Sequence, residues 1–146
     1  MDAPRPVTQD EFRARVKHWA KELGFVRPWR VSVRFVKQGE LIDPNDPECY
    51  AAHAYQPQYH RGTIYADLRH PGWEKEIHGL DHLIRHELAH GITSDLSQWA
   101  AHLVERFVSD EAVRKAMLDQ LYDLEDICVN RIADIPALDD GEDDVG

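Results

Sequence analysis

The sequence predicts an α+β domain: an N-terminal helix, a small mixed or antiparallel sheet, then C-terminal helices, with strands and helices segregated along the chain. Three observations lead there. A capping-box signal opens the chain at Thr8, residues 29–35 alternate apolar and polar side chains, and the chain beyond residue 73 repeats its apolar residues at three- and four-residue steps. A length of 146 residues suits one domain with one contiguous core. We assign residues 1–136 to that domain and 137–146 to an acidic, disordered tail.

In Thr8-Gln9-Asp10-Glu11 the hydroxyl and the carboxylate can satisfy each other's orphan amides, so a helix is expected over residues 9–23. Phe12, Val16, Trp19, Ala20 and Leu23 form its apolar face, and Gly24 is its stop. Trp29, Val31, Val33 and Phe35 alternate with polar residues, the pattern of a strand with one wet face. Residues 38–49 carry Gly39, Pro44, Asn45, Asp46 and Pro47 and read as a loop. Two shorter strands follow at Tyr50–Tyr55 and Gly62–Leu68, joined by the polar connection Gln56–Arg61. His70-Pro71-Gly72 marks a turn. A helix is then expected from Trp73, with Leu80, Ile84 and Leu88 as its stripe and Gly91 as its end. A second helix spans 97–108, with Trp99, Leu103, Val104 and Phe107 as its apolar residues. The last runs from about 110 to 134, with a stripe of Val113, Met117, Leu121, Leu124, Cys128 and Ile132, and Pro136 helps to close it.

Charge and composition exclude several classes of function. A formal net charge of −10 repels phosphate backbones, so nucleic acid is not an expected partner. Part of the excess lies in the terminal run Asp139-Asp140-Gly141-Glu142-Asp143-Asp144. Apolar runs are too short for a membrane span, and the N-terminus lacks the basic and apolar segments of a secretory signal. Two cysteines, Cys49 and Cys128, are too few for a disulfide scaffold, so a cytoplasmic, reducing compartment is expected. Oligomeric state is not legible at this level.

The chemistry concentrates in His86-Glu87-Leu88-Ala89-His90. Histidines four apart on a helix point the same way, one turn above the other, and can grip one metal ion. Zinc accepts imidazole nitrogens, and catalytic zinc takes three protein ligands with water in the fourth position. Glu87 is rotated away from the ligand positions, so it can take a proton from that water as a general base. The third ligand must come from elsewhere in the chain. Glu125 has Leu121, Leu124, Cys128 and Val129 as its helical neighbours, so its carboxylate is expected to face buried space, where a metal would explain it. Glu105, Glu111 and Asp126 have more polar surroundings, and His102 is a nitrogen alternative.

These residues resemble the zincin metallopeptidases, specifically the gluzincin-like branch, in which two motif histidines and a glutamate on a later helix hold Zn2+. The resemblance covers residues 62–91 and 121–134, and the chain is similar in size to minimal or phage-encoded zincin domains. It implies a zincin-like active-site helix, metal ligands His86, His90 and Glu125, Glu87 as the catalytic residue, and a peptide or protein substrate. It also implies that residues 62–68 form the edge strand that pairs with substrate. Thr93 and Leu96 stand where the metzincin pattern has Gly and His, and Val129 stands where larger gluzincins have Asp. Peptide deformylases share the motif and use an upstream cysteine. Cys49 lies in Pro47-Glu48-Cys49-Tyr50 without their flanking residues, and reads instead as a small buried hydrophobe.

Of the remaining candidates, His82 reads as a surface or outer-sphere residue. Tyr122, Arg131 and His102 are candidates to stabilise an oxyanion, and Asp67 and Asp134 to orient the outer nitrogens of the ligand histidines. The expected function is a zinc metallopeptidase. The alternative is a non-catalytic zincin-like regulatory or structural binding module of a phage or its host.

Overall fold

The first helix, α1 (Gln9–Glu22), begins where its capping box predicts. The Glu11 amide donates to the Thr8 hydroxyl at 3.2 Å and the Thr8 amide to the Glu11 carboxylate at 2.9 Å, which satisfies two amides that the first turn would otherwise leave unpaired. The computed structural model describes residues 7–72 and 79–139 of the chain. Phe12, Val16 and Ala20 are buried on the inner face of α1.

Three strands form one mixed sheet: β1 (Arg30–Phe35), β2 (Ala51–Gln56) and β3 (Arg61–Ala66), in the order β1-β3-β2. β3 runs parallel to β1, with Val33 opposite Ile64, and antiparallel to β2, with His53 opposite Ile64. Alternation decides which side is covered. Val31, Val33 and Phe35 of β1 turn with Ile64 and Ala66 of β3 towards the helices, while Arg30, Ser32 and Arg34 face outward. The expectation that residues 62–68 form an edge strand is therefore corrected. β3 is central, with both edges paired, and among the described residues the edge strands are β1 and β2, of which β2 is the one that α2 packs against. Chain order cannot reveal this, because β1 reaches β3 only by skipping β2.

Among the described residues the helices after the sheet are two, not three: α2 (Gly79–Phe107) and α3 (Glu111–Asp139). Gly91 does not stop α2. It is buried in the middle of the helix, and a Cβ there would lie 2.7 Å from His53 Cε1 and 3.0 Å from Phe25 Cζ. This glycine serves close approach between helix and sheet. Pro136 likewise does not end α3, which continues to Asp139. A proline one turn from a helix end loses a bond where bonds are already few. Residues 73–78, where the active-site helix was expected to begin, and residues 140–146 of the acidic tail lie outside the described residues.

α1 and α2 pack on one face of the sheet around Phe12, Val16, Ile64, Ile84 and Leu88. α3 lies along α2 and makes its substantial contacts with that helix alone. Buried Arg85 ties the three helices together. Its Nε donates to the Ala133 carbonyl at 2.8 Å, and its guanidinium sits 4.5 Å from the centre of the Trp19 ring. Gly91→Ala tests the close approach. Alanine in an open helix would gain about 1 kcal/mol over glycine, whereas overpacking a filled site costs about 1–3 kcal/mol. The expected result is a net loss of stability in urea unfolding, and a gain would show that His53 and Phe25 do not fill the space.

Candidate metal centre

α2 carries His82, His86 and His90 one turn apart, and α3 answers each with a polar side chain. His82 Nε2 lies 2.8 Å from Asp134 Oδ1, and His86 Nδ1 lies 2.9 Å from Asn130 Oδ1. His90 Nδ1 is 3.8 Å from Glu125 Oε1, the distance of an ion pair and not of a hydrogen bond. The His86 and His90 rings stand edge to face, 5.0 Å between centres.

An imidazole whose Nδ1–H donates to an oxygen must present Nε2 as a bare lone pair, which suits a metal ligand. His86 meets that condition through Asn130. The expectation that Asp67 and Asp134 orient the ligand histidines is corrected. Asp67 accepts from the Arg69 amide in the turn after β3, and Asp134 pairs with His82. Asn130 could not be singled out from sequence, because its role depends on how α3 is aligned against α2.

Glu125 faces inward as expected, although Leu124 and Cys128, two of the neighbours that suggested it, are exposed. Its side chain is 13% exposed and faces α2, where Oε1 also accepts from the Thr93 hydroxyl at 3.0 Å. Two imidazoles and a carboxylate are the donor types zinc takes, so the residues brought together fit the ion in kind. Glu125 stands on the Nδ1 side of His90. Among the described residues no three His, Cys, Asp or Glu side chains converge closely enough to share an ion as they stand.

Glu87 lies against the edge strand. Burial pushes its carboxyl up to about 8, offset only in part by the backbone amide of His53. The Glu87 carbonyl accepts from His53 Nδ1 at 2.7 Å, which leaves His53 Nε2 buried and without a partner. Burial lowers His53 to about 4, against the raising effect of that bond, so the ring is neutral. It lies over Gly62, where a Cβ would collide with Nε2. His53 thus clamps the motif helix to β2 and β3. The sequence did not single it out; its one local trace is the pair Gly62 and Gly91, which leave room for its ring.

Tyr55, two residues along β2, is half-buried on the same side, and its phenol is raised by burial and then by the Glu125 charge. Tyr122 is 52% exposed, and Arg131 and His102 are exposed as well. Glu105, Glu111 and Asp126 are also exposed. Cys49 donates its thiol to the Ala51 carbonyl at 3.3 Å and is held protonated by burial and then by the Glu87 charge, as a packing residue would be.

His53 and Glu87, the two groups of this site shifted furthest, predict a pH dependence for the metal-free protein. His53 titrates lower when folded than its ordinary 6.5, so stability is lost as pH falls from about 6.5 to 4. Glu87 titrates higher when folded than its ordinary 4.5, so stability is lost as pH rises from about 4.5 to 8. The slopes oppose each other below about 6.5, and above it only that of Glu87 remains. Urea unfolding in a chelator is expected to show a loss of about 2 kcal/mol between pH 6.5 and 8, absent from Glu87→Gln. Equal slopes in both proteins would remove Glu87 from its buried position.

No helix among the described residues is long and apolar enough to cross a membrane. Compared with protein families, curated proteins and solved structures, the chain matches none.

Proposed function

We propose that this chain is a zinc-dependent metallopeptidase. One arrangement carries the reading: His86 and His90, one turn apart with their Nδ1 atoms turned to polar partners on α3, stand beside a half-buried Glu87 whose backbone carbonyl accepts from the His53 ring of β2. His86 and His90 would hold the ion, with Glu125 as the third donor. When bound, zinc would polarise a scissile carbonyl and acidify water.

The protein's own groups account for the remaining steps. The outer edge of β2 has no strand partner among the described residues and offers backbone amides and carbonyls to an extended peptide. Glu87 takes the proton from the attacking water and passes it to the leaving amine. Tyr55, on β2, is positioned to donate to the developing oxyanion. A cytoplasmic location belongs to this proposal and draws on the two free cysteines.

A second reading, a non-catalytic zincin-like binding module, has one observation in its favour: Glu125 faces Nδ1 of His90 and the Thr93 hydroxyl, as a bracing group does. Elemental analysis after dialysis, together with cleavage of an unfolded protein substrate, separates the two. The peptidase binds about one zinc per chain and cleaves only when loaded. The module retains zinc without cleaving, and a chain that takes up no added zinc is neither.

A further inference from the structure

Two apolar stripes that the sequence marks for burial are left bare. Leu96, Trp99 and Phe107 of α2 are 71%, 61% and 72% exposed, and Val113, Met117 and Leu124 of α3 are 50%, 42% and 52% exposed. Among the described residues none between Ser97 and Val129 is buried. This stretch is a two-helix arm, in which, among the described residues, α3 makes its substantial contacts with α2.

The stripes share one side of the arm. Half-buried Val104 and Ala101 mark the seam on α2, and half-buried Leu118, Leu121 and Glu125 mark it on α3. At about 100° per residue the α3 stripe lies roughly a quarter turn and the α2 stripe roughly a third of a turn from its seam, in the same rotational sense, which for antiparallel helices is the same side. The opposite side is polar: Glu105, Glu111, Lys115, Asp119 and Tyr122 line one shallow trough there. The arm is therefore an amphipathic layer two helices thick, which is half of a four-helix bundle.

We infer that the apolar side of the α2–α3 arm is a homodimer interface, covered by the same side of a second copy of this chain. Three observations favour that occupant. A layer of two antiparallel helices with one apolar face is completed by an identical layer under two-fold symmetry, in which every stripe meets its own kind. Six large side chains about half exposed, with their surroundings, supply on the order of 600–800 Å² per chain, close to what a stable dimer buries. Charge selects the orientation. Residues 116–127 carry Asp119, Asp123, Glu125 and Asp126 and no base, whereas residues 105–115 balance three acids with Arg106, Arg114 and Lys115. Pairing tip to base sets the neutral tip of one arm against the acidic base of the other, and side-by-side pairing would set acid against acid. Gln98, close to Tyr55, belongs to the polar side, so dimerisation leaves the β2 side of α2 open.

Sedimentation velocity on the full chain, up to about 100 μM, tests this. The wild type is expected at twice 16.9 kDa. Leu124→Glu and Trp99→Glu should each weaken the dimer by about 1000-fold, from about 30-fold at each of two symmetric sites, while Tyr122→Glu on the polar side leaves it intact. A monomeric wild type, a dimer that survives both stripe substitutions, or open-ended association in place of a closed dimer would each overturn the inference. The wild-type melting temperature is a reading that no variant can confound. It rises with concentration if the dimer forms, and a constant value overturns the dimer even if Leu124→Glu fails to fold.

Discussion

Zinc content is expected to fall from about one ion per chain to essentially none in His86→Ala and in His90→Ala, and to fall only in part in Glu125→Ala. The asymmetry follows from the geometry. His86 and His90 sit on consecutive turns of α2, and removing either leaves one imidazole for the ion, because His82 Nε2 is taken by Asp134. Glu125 reaches the pair across the helix seam, and its carboxylate is shared with Thr93. If it is a ligand, its loss weakens affinity by much more than 100-fold. If it only braces His90 through Nδ1, the loss is confined to about 10–100-fold, the range of outer-sphere residues. Asn130→Ala, which frees His86 Nδ1, is the reference for that smaller effect. Full zinc retention in His90→Ala would remove the metal centre from this helix altogether. Competition with a chelator of known affinity gives the numbers directly.

Glu87→Gln is expected to lower peptide hydrolysis by about 10²–10⁴-fold with zinc content unchanged, measured on the zinc-loaded protein. Glutamine keeps the volume of the side chain and loses only its ability to take up a proton. In the metal-free protein the carboxyl is held protonated to about 8, so the amide replaces a group that is already neutral at pH 7 and the fold is not disturbed. The loss is therefore in chemistry and not in assembly. Activity that persists in Glu87→Gln at full zinc occupancy would place the base elsewhere. Parallel loss of zinc and activity would instead make Glu87 part of the binding site.

Much of this architecture is written locally. The Thr8–Glu11 box, the alternation from Val31 to Phe35 and the i, i+4 histidines each depend on residues a few positions apart, so a helix start, a strand and a two-nitrogen face are legible before anything packs. The inward position of Glu125 was legible only in part, because, of the neighbours that suggested it, Leu121 and Val129 face α2 while Leu124 and Cys128 are exposed. What the tertiary structure decided depends on residues far apart in the chain. Gly91 has the local chemistry of a helix stop, and α2 runs through it because His53, from a strand 38 residues earlier, occupies the space where a side chain would stand. β3 has the pattern of any half-buried strand, and its central place follows from β1 pairing with it across the chain order. Asn130 became the partner of His86 only through the alignment of the two long helices. The stripes of α2 and α3 mark the limit most plainly. A period of 3.6 residues establishes that a helix has an apolar face, but what covers that face is a matter of three-dimensional proximity, within one chain or between two.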